Sequence, residues 1–170
     1  SKDWPAIVRQ VRCAVPDSKF LFITGCKLEV VLRDLNLPEC DWIEVVPNFG
    51  CGDLPKLLST SMIGAFPSYI EGFGLALLEK LAAGLPTVAY DVPGPRELLR
   101  HLPPYLMTPM GDTRAFSTAV ISLLTSDLDQ YTMLSEHCEE IARHFRWKNI
   151  ALETKATYET ALSDVQRDRG

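Results

Sequence analysis

The sequence predicts an α/β domain: an open, doubly wound parallel sheet of the Rossmann kind, closed by a helical C-terminal tail. Three observations carry this. Short β-rich runs alternate with helically spaced ones between residues 19 and 107, and strands joined through helices imply right-handed crossovers and parallel pairing. Beyond Asp112 the patterning is wholly helical. A length of 170 residues, 46% of them apolar, suits one domain with a sizeable core, so residues 1–170 are read as a single domain.

The elements follow in order. Residues 6–15 read as a helix whose apolar side carries Ile7, Val8, Val11 and Val15. Residues 19–24 form a buried strand ended by Gly25, and residues 30–37 a helix stopped by Pro38. Residues 42–46 give the second strand, ended by Pro47-Asn48. Asp53 is the expected N-cap of a short helix over 54–58, with Pro55 at its first position. The third strand covers 62–66, and a helix covers 74–83 with a stop at Gly84. Residues 87–90 make a fourth strand, Pro93-Gly94 a turn, 95–101 a helix and 105–107 a fifth strand. The tail holds helices at 113–124, 128–144 and 149–165.

Composition narrows the function. A formal net charge of −5 speaks against a nucleic-acid backbone or an anionic membrane as a general partner. No apolar run approaches the ~18–20 residues that span a bilayer, and nothing at the start resembles a signal peptide. The chain opens Ser1-Lys2-Asp3-Trp4 without a methionine and reads as a fragment. Five cysteines (Cys13, Cys26, Cys40, Cys51, Cys138) without a Cys-x-x-Cys pair read as reduced, mostly buried thiols of a cytoplasmic protein. His101, His137 and His144 supply no zinc cluster. Asp127-Leu128-Asp129 matches a metal-binding D-x-D string, but between two tail helices it reads as a helix cap. Trp4, Trp42 and Trp147 read as core or domain-contact residues.

The chemistry concentrates in Glu71-Gly72-Phe73-Gly74, with Glu79 eight positions after the first glutamate. The stretch leaves the third strand, and in such sheets ligands bind outside the carboxyl ends of the strands. Gly72 and Gly74 open the backbone to a ligand, and the amides of Phe73, Gly74 and Leu75 lie among the unpaired donors at a helix start, where the dipole favours an anion such as phosphate. Glu79 sits about 7 Å further along the helix axis. It borders an apolar face of Leu75, Leu78, Leu81, Ala82 and Leu85, with Lys80 well round on the other side. Paired ribose hydroxyls or a neighbouring cation would suit it. A plain strand-to-helix turn with solvated acids is the alternative reading. Gly72-Phe73-Gly74 is not a dinucleotide fingerprint, which needs G-x-G-x-x-G after the first strand. Glu97 reads as a first-turn acid.

Read whole, the stretch resembles the nucleotide-binding half of retaining glycosyltransferases of the GT-B fold (group 1, with an E-x7-E motif). The carrying residues are Pro67-Ser68, Glu71-Gly72-Phe73-Gly74, Glu79, Ala82-Ala83-Gly84-Leu85-Pro86 with Thr87 before Val88, and Gly94-Pro95-Arg96-Glu97. Phe145-Arg146-Trp147 and Tyr158-Glu159 are similar to the family's closing helices. The resemblance implies that Glu71 contacts donor-sugar hydroxyls and acts as the catalytic carboxylate. It also implies that Gly72, Phe73, Gly74 and Leu75 bind sugar and diphosphate, and that Glu79 binds the ribose. The base would be held by main chain near Pro47, Asn48 and Phe49. The resemblance implies a nucleoside-diphosphate sugar as the donor, with no cofactor and no essential metal.

Two departures stand beside these implications. The family's Gly-Arg strand and lysine, which neutralise the diphosphate, fall where this chain begins, and Lys2 is the sole candidate remnant. The N-terminal acceptor-binding domain is a partner expected elsewhere in the same polypeptide, and any peripheral membrane contact would run through it. A non-catalytic nucleotide-sugar sensor or scaffold stays open, as does an unrelated doubly wound enzyme such as a sugar-nucleotide epimerase or a phosphorylase-like protein.

Overall fold

The computed structural model describes residues 2–50 and 52–167, with side chains described through residue 163. Its elements are α1 (Trp4–Ala14), β1 (Phe20–Ile23), α2 (Leu28–Leu35), β2 (Ile43–Val46), α3 (Leu54–Leu58), β3 (Gly64–Phe66), α4 (Leu75–Ala82), β4 (Thr87–Tyr90), α5 (Pro93–Leu99), a 3-10 turn (Pro104–Leu106), β5 (Met107–Thr108), α6 (Thr113–Leu124), α7 (Leu128–His144) and α8 (Trp147–Arg167).

All strand pairing is parallel, as the alternation of elements predicts. Phe20 is in register with Ile43, Gly64 with Thr87, and Tyr90 with Thr108. One expectation is corrected: the strands form two ladders, β1-β2 and β3-β4-β5, rather than one continuous sheet. Between them lies a groove of about 1100 Å³, lined on one side by Phe20, Phe22 and Ile23 and on the other by Gly64, Ala65 and Phe66.

The amphipathic helix α1 bridges the two ladders. Its Ile7 and Val11 enter the core around β4, while Val8 enters a second cluster with Val31, Leu32, Leu35 and Ile43. Trp4, at its start, stands edge-on to Phe22 near the end of β1, with ring centroids 5.1 Å apart. Arg12, at its other end, donates to the Ser18 carbonyl at 2.6 Å and lies 5.0 Å from the Trp42 ring, beside the starts of β1 and β2. Helix α1 therefore runs antiparallel to β1.

β4 is buried along its whole length, between Leu77 and Leu81 of α4, Leu98 and Leu99 of α5, and Phe116 and Val120 of α6. A strand covered on both faces reads as an unbroken apolar run, as Thr-Val-Ala-Tyr nearly does. Each large side chain so buried stabilises the fold by about 1.5–3 kcal/mol.

Several boundaries differ from the sequence reading. Helix α2 starts at Leu28 after the extended Lys27, and closes on Asn36 in the left-handed region (φ 53°). Helix α5 starts at Pro93, because a first helical turn needs no N–H from its residues. Glu97 is therefore mid-helix, paired with Arg100 at 2.6 Å, and not a first-turn acid. Pro103 and Pro104 wind the predicted fifth strand into a 3-10 turn, which leaves β5 two residues long. The side chain of Asp53 accepts from the Gly50 amide (3.0 Å) instead of capping α3. Asp127 caps α7, accepting from Gln130 N at 2.8 Å.

Trp147 is 87% exposed on α8, not in the core. Cys13 and Cys26 are exposed, Cys40 is half-buried and Cys138 is buried, so thiol burial is the exception; Cys51 lies outside the described residues. Burial pushes the Cys138 thiol up to about 12. Among the described residues no helix is long and apolar enough to cross a membrane.

Candidate functional site

Three chain segments meet at the carboxyl edge of β3 and β4: the start of α1, the β3–α4 loop, and the start of α5. The loop carries Glu71. Its carboxylate accepts from Ser68 Oγ at 3.3 Å, and the same hydroxyl lies 3.1 Å from the Ile70 carbonyl. Gly74 ends the loop at φ +93°, a conformation that L side chains rarely adopt, and serves as the N-cap of α4.

The first bonds of α4 run from the Leu77 and Leu78 amides to the Gly74 carbonyl, both at 2.9 Å. The amides of Gly74, Leu75 and Ala76 precede those bonds and form the donor end of the helix. The sequence-predicted trio of Phe73, Gly74 and Leu75 is thus displaced by one residue, since the helix begins at Leu75.

Phe73 has a different part. Its ring packs edge-on to Phe145 with centroids 5.5 Å apart, which ties the loop to the end of α7. The backbone behind it is pressed by α5: a Cβ on Gly94 would fall 2.7 Å from the Phe73 carbonyl and 3.0 Å from the Gly72 oxygen. Gly94 is a glycine because two backbones touch there. The Gly-x-x-Glu pattern flagged the residue, but the contact was invisible in sequence.

The predicted face of α4 is corrected in part. Leu81 and Leu85 are buried and Leu78 partly so, as expected, whereas Leu75 is 66% exposed, Ala82 is exposed and Leu77 is buried. Four consecutive apolar residues, Leu75 to Leu78, allow either face to be called apolar, and packing against β4 and α7 chose one. Glu79 shares the exposed face with Leu75; its carbonyl accepts from the Ala83 amide, and its carboxylate makes no hydrogen bond or ion pair among the described residues. Lys80 is the half-buried residue instead. Its amine lies over the Phe66 ring, 5.4 Å from the centroid, and donates to the Ala76 carbonyl at 3.0 Å, and burial lowers its pKa.

At the start of α1, exposed Lys2 lies 5.2 Å from the Tyr69 ring centroid. Asp3 Oδ2 accepts from the Tyr69 hydroxyl (2.6 Å) and from the Tyr90 hydroxyl (2.7 Å). Tyr69 holds its proton more tightly through this bond to Asp3, with burial and the carboxylate charge adding to it. Tyr90 does so first through burial, then through Asp3. The clamp pins the head of α1 to the ends of β3 and β4. Sequence reasoning missed Asp3 and Tyr90, since nothing local pairs residues so distant along the chain.

Asn48 is exposed in the segment just after β2, at the carboxyl end of the other ladder. The structure thus gathers Lys2, Glu71, Gly72, Phe73, Gly74 and Leu75 beside one strand end. Asn48 stands at the neighbouring edge, and Glu79 stands further down the outer face of α4. Arg96, beside this region, is held by Asp91 at 2.6 Å.

The family described as glycosyl transferases group 1 matches residues 2–126. Among curated proteins, the chain is 33% identical over 93 residues to a phosphatidyl-myo-inositol mannosyltransferase of Mycobacterium leprae, covering 55% of this chain and 25% of that protein. It is 31% identical to an N-acetyl-alpha-D-glucosaminyl L-malate synthase of Bacillus anthracis, over 68% of this chain and 29% of that protein. To a D-inositol 3-phosphate glycosyltransferase of Salinispora tropica it is 30% identical, over 73% and 26%. The matched region thus spans little more than a quarter of these relatives.

Two solved structures share the fold. Sucrose-phosphate synthase from Thermosynechococcus elongatus matches with TM-score 0.76 and 22% identity, over 95% of this chain and 42% of that one. The pneumococcal O-GlcNAc transferase in complex with UDP and GlcNAc matches with TM-score 0.72 and 21% identity, over 94% and 33%. These likenesses carry the architecture, parallel α/β as in the GT-B glycosyltransferases, and nothing finer.

Proposed function

Because this chain belongs to the group 1 glycosyltransferases, we propose that it is the donor-binding half of a retaining hexosyltransferase. The enzyme moves a hexose from a nucleoside diphosphate to an acceptor hydroxyl and keeps the anomeric configuration. The observation that carries this reading is the Glu71 loop: a carboxylate and the donor end of α4, side by side at a strand end, with the backbone between them braced by Gly94 and Phe145. Three relatives named for glycosyl transfer or glycoconjugate synthesis, and a structural neighbour crystallised with UDP and GlcNAc, support a nucleotide-sugar donor.

In this reading the amides of Gly74, Leu75 and Ala76 and the amine of Lys2 hold the diphosphate. The charge that grows on it as the glycosidic bond breaks is met by donors already in place. Glu71 accepts from sugar hydroxyls and fixes the anomeric carbon for attack from the leaving-group side. The acceptor hydroxyl bonds to that carbon, its proton passes to a donor phosphate oxygen, and the nucleoside diphosphate leaves with the bonding pair. Glu79 binds the ribose, and main chain near Asn48 holds the base. The acceptor site belongs to an N-terminal domain of the same polypeptide, and the enzyme works in the cytoplasm without an essential metal or cofactor.

Calorimetric titration of this chain with UDP-, GDP- and ADP-sugars identifies the donor. Weak binding of one of them and no transfer by the chain alone are the expected results. In the full-length enzyme Glu71→Ala lowers turnover by about 100-fold or more, on the scale of a lost transition-state contact. Glu79→Ala chiefly weakens nucleotide binding. Normal binding and turnover in both variants would sink the assignment, and transfer by the 170-residue chain would sink the division of labour.

A further inference from the structure

We infer that Tyr69 is a positioning residue: its ring seats the Lys2 amine for the diphosphate, and Asp3 and Tyr90 hold that ring in place. The inference rests on the donor reading above and adds a residue which that reading does not use. A lysine ammonium is a point charge on a flexible stem. It meets charge growing on a leaving diphosphate at no cost in reorganisation only when something holds it beforehand.

Lys2 is exposed, and its amine lies 5.2 Å from the Tyr69 ring centroid, within the ~6 Å reach of a cation–π contact. Among the described residues this amine forms no ion pair. The carboxylates of this edge are engaged elsewhere. Asp3 accepts from Tyr69 and Tyr90, Glu71 from Ser68 Oγ, and Asp112 from the Ala115 amide, while Asp91 pairs with Arg96. The ring therefore orients the cation without neutralising it, which leaves the charge for a phosphate. A carboxylate in the same place would orient it and cancel it.

The ring is fixed on three sides. Its hydroxyl donates to Asp3 at 2.6 Å. Tyr90 stands edge-on to it, with centroids 5.5 Å apart, and is itself edge-on to buried Phe116. From the β5–α6 loop the backbone of Gly111 closes in at φ +84°, where a Cβ would fall 3.1 Å from the Tyr69 oxygen. Asp3 follows Lys2 directly, and Tyr69 precedes Glu71 by two residues. The clamp that seats the cation thus also sets its place relative to the Glu71 carboxylate. A mechanical tie between α1 and the loop is complete in the hydroxyl; the cation over the ring is what such a tie leaves unexplained.

A double-mutant cycle reads the coupling. The 170-residue chain is titrated calorimetrically with UDP, GDP and ADP, and the tightest of them serves as the probe. Lys2→Met is expected to weaken it about tenfold, the scale of a hydrogen bond to a charged group. Tyr69→Leu weakens it about fivefold, the scale of a cation–π contact. The double variant loses no more than Lys2→Met alone, because Tyr69 acts through Lys2. Tyr69→Phe keeps the ring and recovers most of the affinity lost in Tyr69→Leu. If Tyr69→Leu does not fold, proton NMR of the unmodified chain decides: the ring current shifts the Lys2 ε-methylene protons upfield of those of Lys19, Lys27 and Lys56. Additive losses, parental affinity in Tyr69→Leu, a Tyr69→Phe no better than leucine, or unshifted Lys2 protons would each overturn the role of Tyr69 and leave the donor reading standing. Parental affinity in Lys2→Met would overturn it too and remove Lys2 from the donor site. A chain that binds none of the three diphosphates defeats the donor reading and this inference together.

Discussion

Replacing Gly94 with alanine tests whether the donor loop is braced by backbone contact. The added Cβ falls 2.7 Å from the Phe73 carbonyl, where ordinary contact begins at 3.4 Å, so α5 and the loop must separate by about 0.7 Å. Neither side has a flexible side chain to yield. Overpacking of this kind costs about 1–3 kcal/mol, which in a domain of this size lowers the thermal midpoint by about 2–12 °C. Misplacing binding groups by about 1 Å costs up to about 100-fold, so a tenfold or greater loss of donor affinity is expected. Scanning calorimetry and donor titration read the two effects separately. Gly72→Ala is the control: a Cβ there meets nothing within 4 Å, and its midpoint should stay within the range of a neutral surface change, about 0.5 kcal/mol. A Gly94→Ala protein that melts and binds like its parent would refute the brace.

Three further outcomes follow from the same geometry. Gly74→Ala has room for its methyl, 3.6 Å from the nearest atoms, but forces φ +93° on an L residue. It should cost about 1–2 kcal/mol and fray the start of α4 in hydrogen exchange. Tyr90→Phe leaves Asp3 with Tyr69 as its phenol donor and should cost about 1.5–3 kcal/mol in denaturant titration, the range for a hydrogen bond to a charged group. Cys138 keeps its thiol proton to about 12 when folded, against 9.0 for the ordinary thiol. Between those values the unfolded chain binds fewer protons than the folded one, so stability falls as pH rises. Cys138→Ala should flatten that alkaline fall in midpoint, and an unchanged slope would show that the thiol does not contribute.

Local signals are legible in the sequence where they are self-contained. Helices α6 and α7 occupy the predicted spans, and Asp127 caps α7 as its spacing suggested. The Glu71 loop lies at a strand end, as a Glu-Gly turn between a β-run and an Ala/Leu-rich helix implies. Features that depend on neighbours are not legible in this way. Leu77 rather than Leu75 is buried on α4, because the four consecutive apolar residues 75–78 leave the sequence with no preference between the two until something packs against the helix. Pro93-Gly94 reads as a turn in the sequence, yet Pro93 starts a helix, since the same residue suits both.

Periodicity, turn chemistry and one dense motif specify the order of strands and helices, their parallel sense, and the loop that carries the site, because each depends on residues close in the chain. Distance along the chain hid the rest. The Asp3 clamp joins residues 66 and 87 positions apart, and Gly94 meets Gly72 and Phe73 only after two elements have folded back. The split between the ladders shows only when β1 and β3 are placed side by side. Contacts across space are settled by shape and burial, which a linear pattern does not encode.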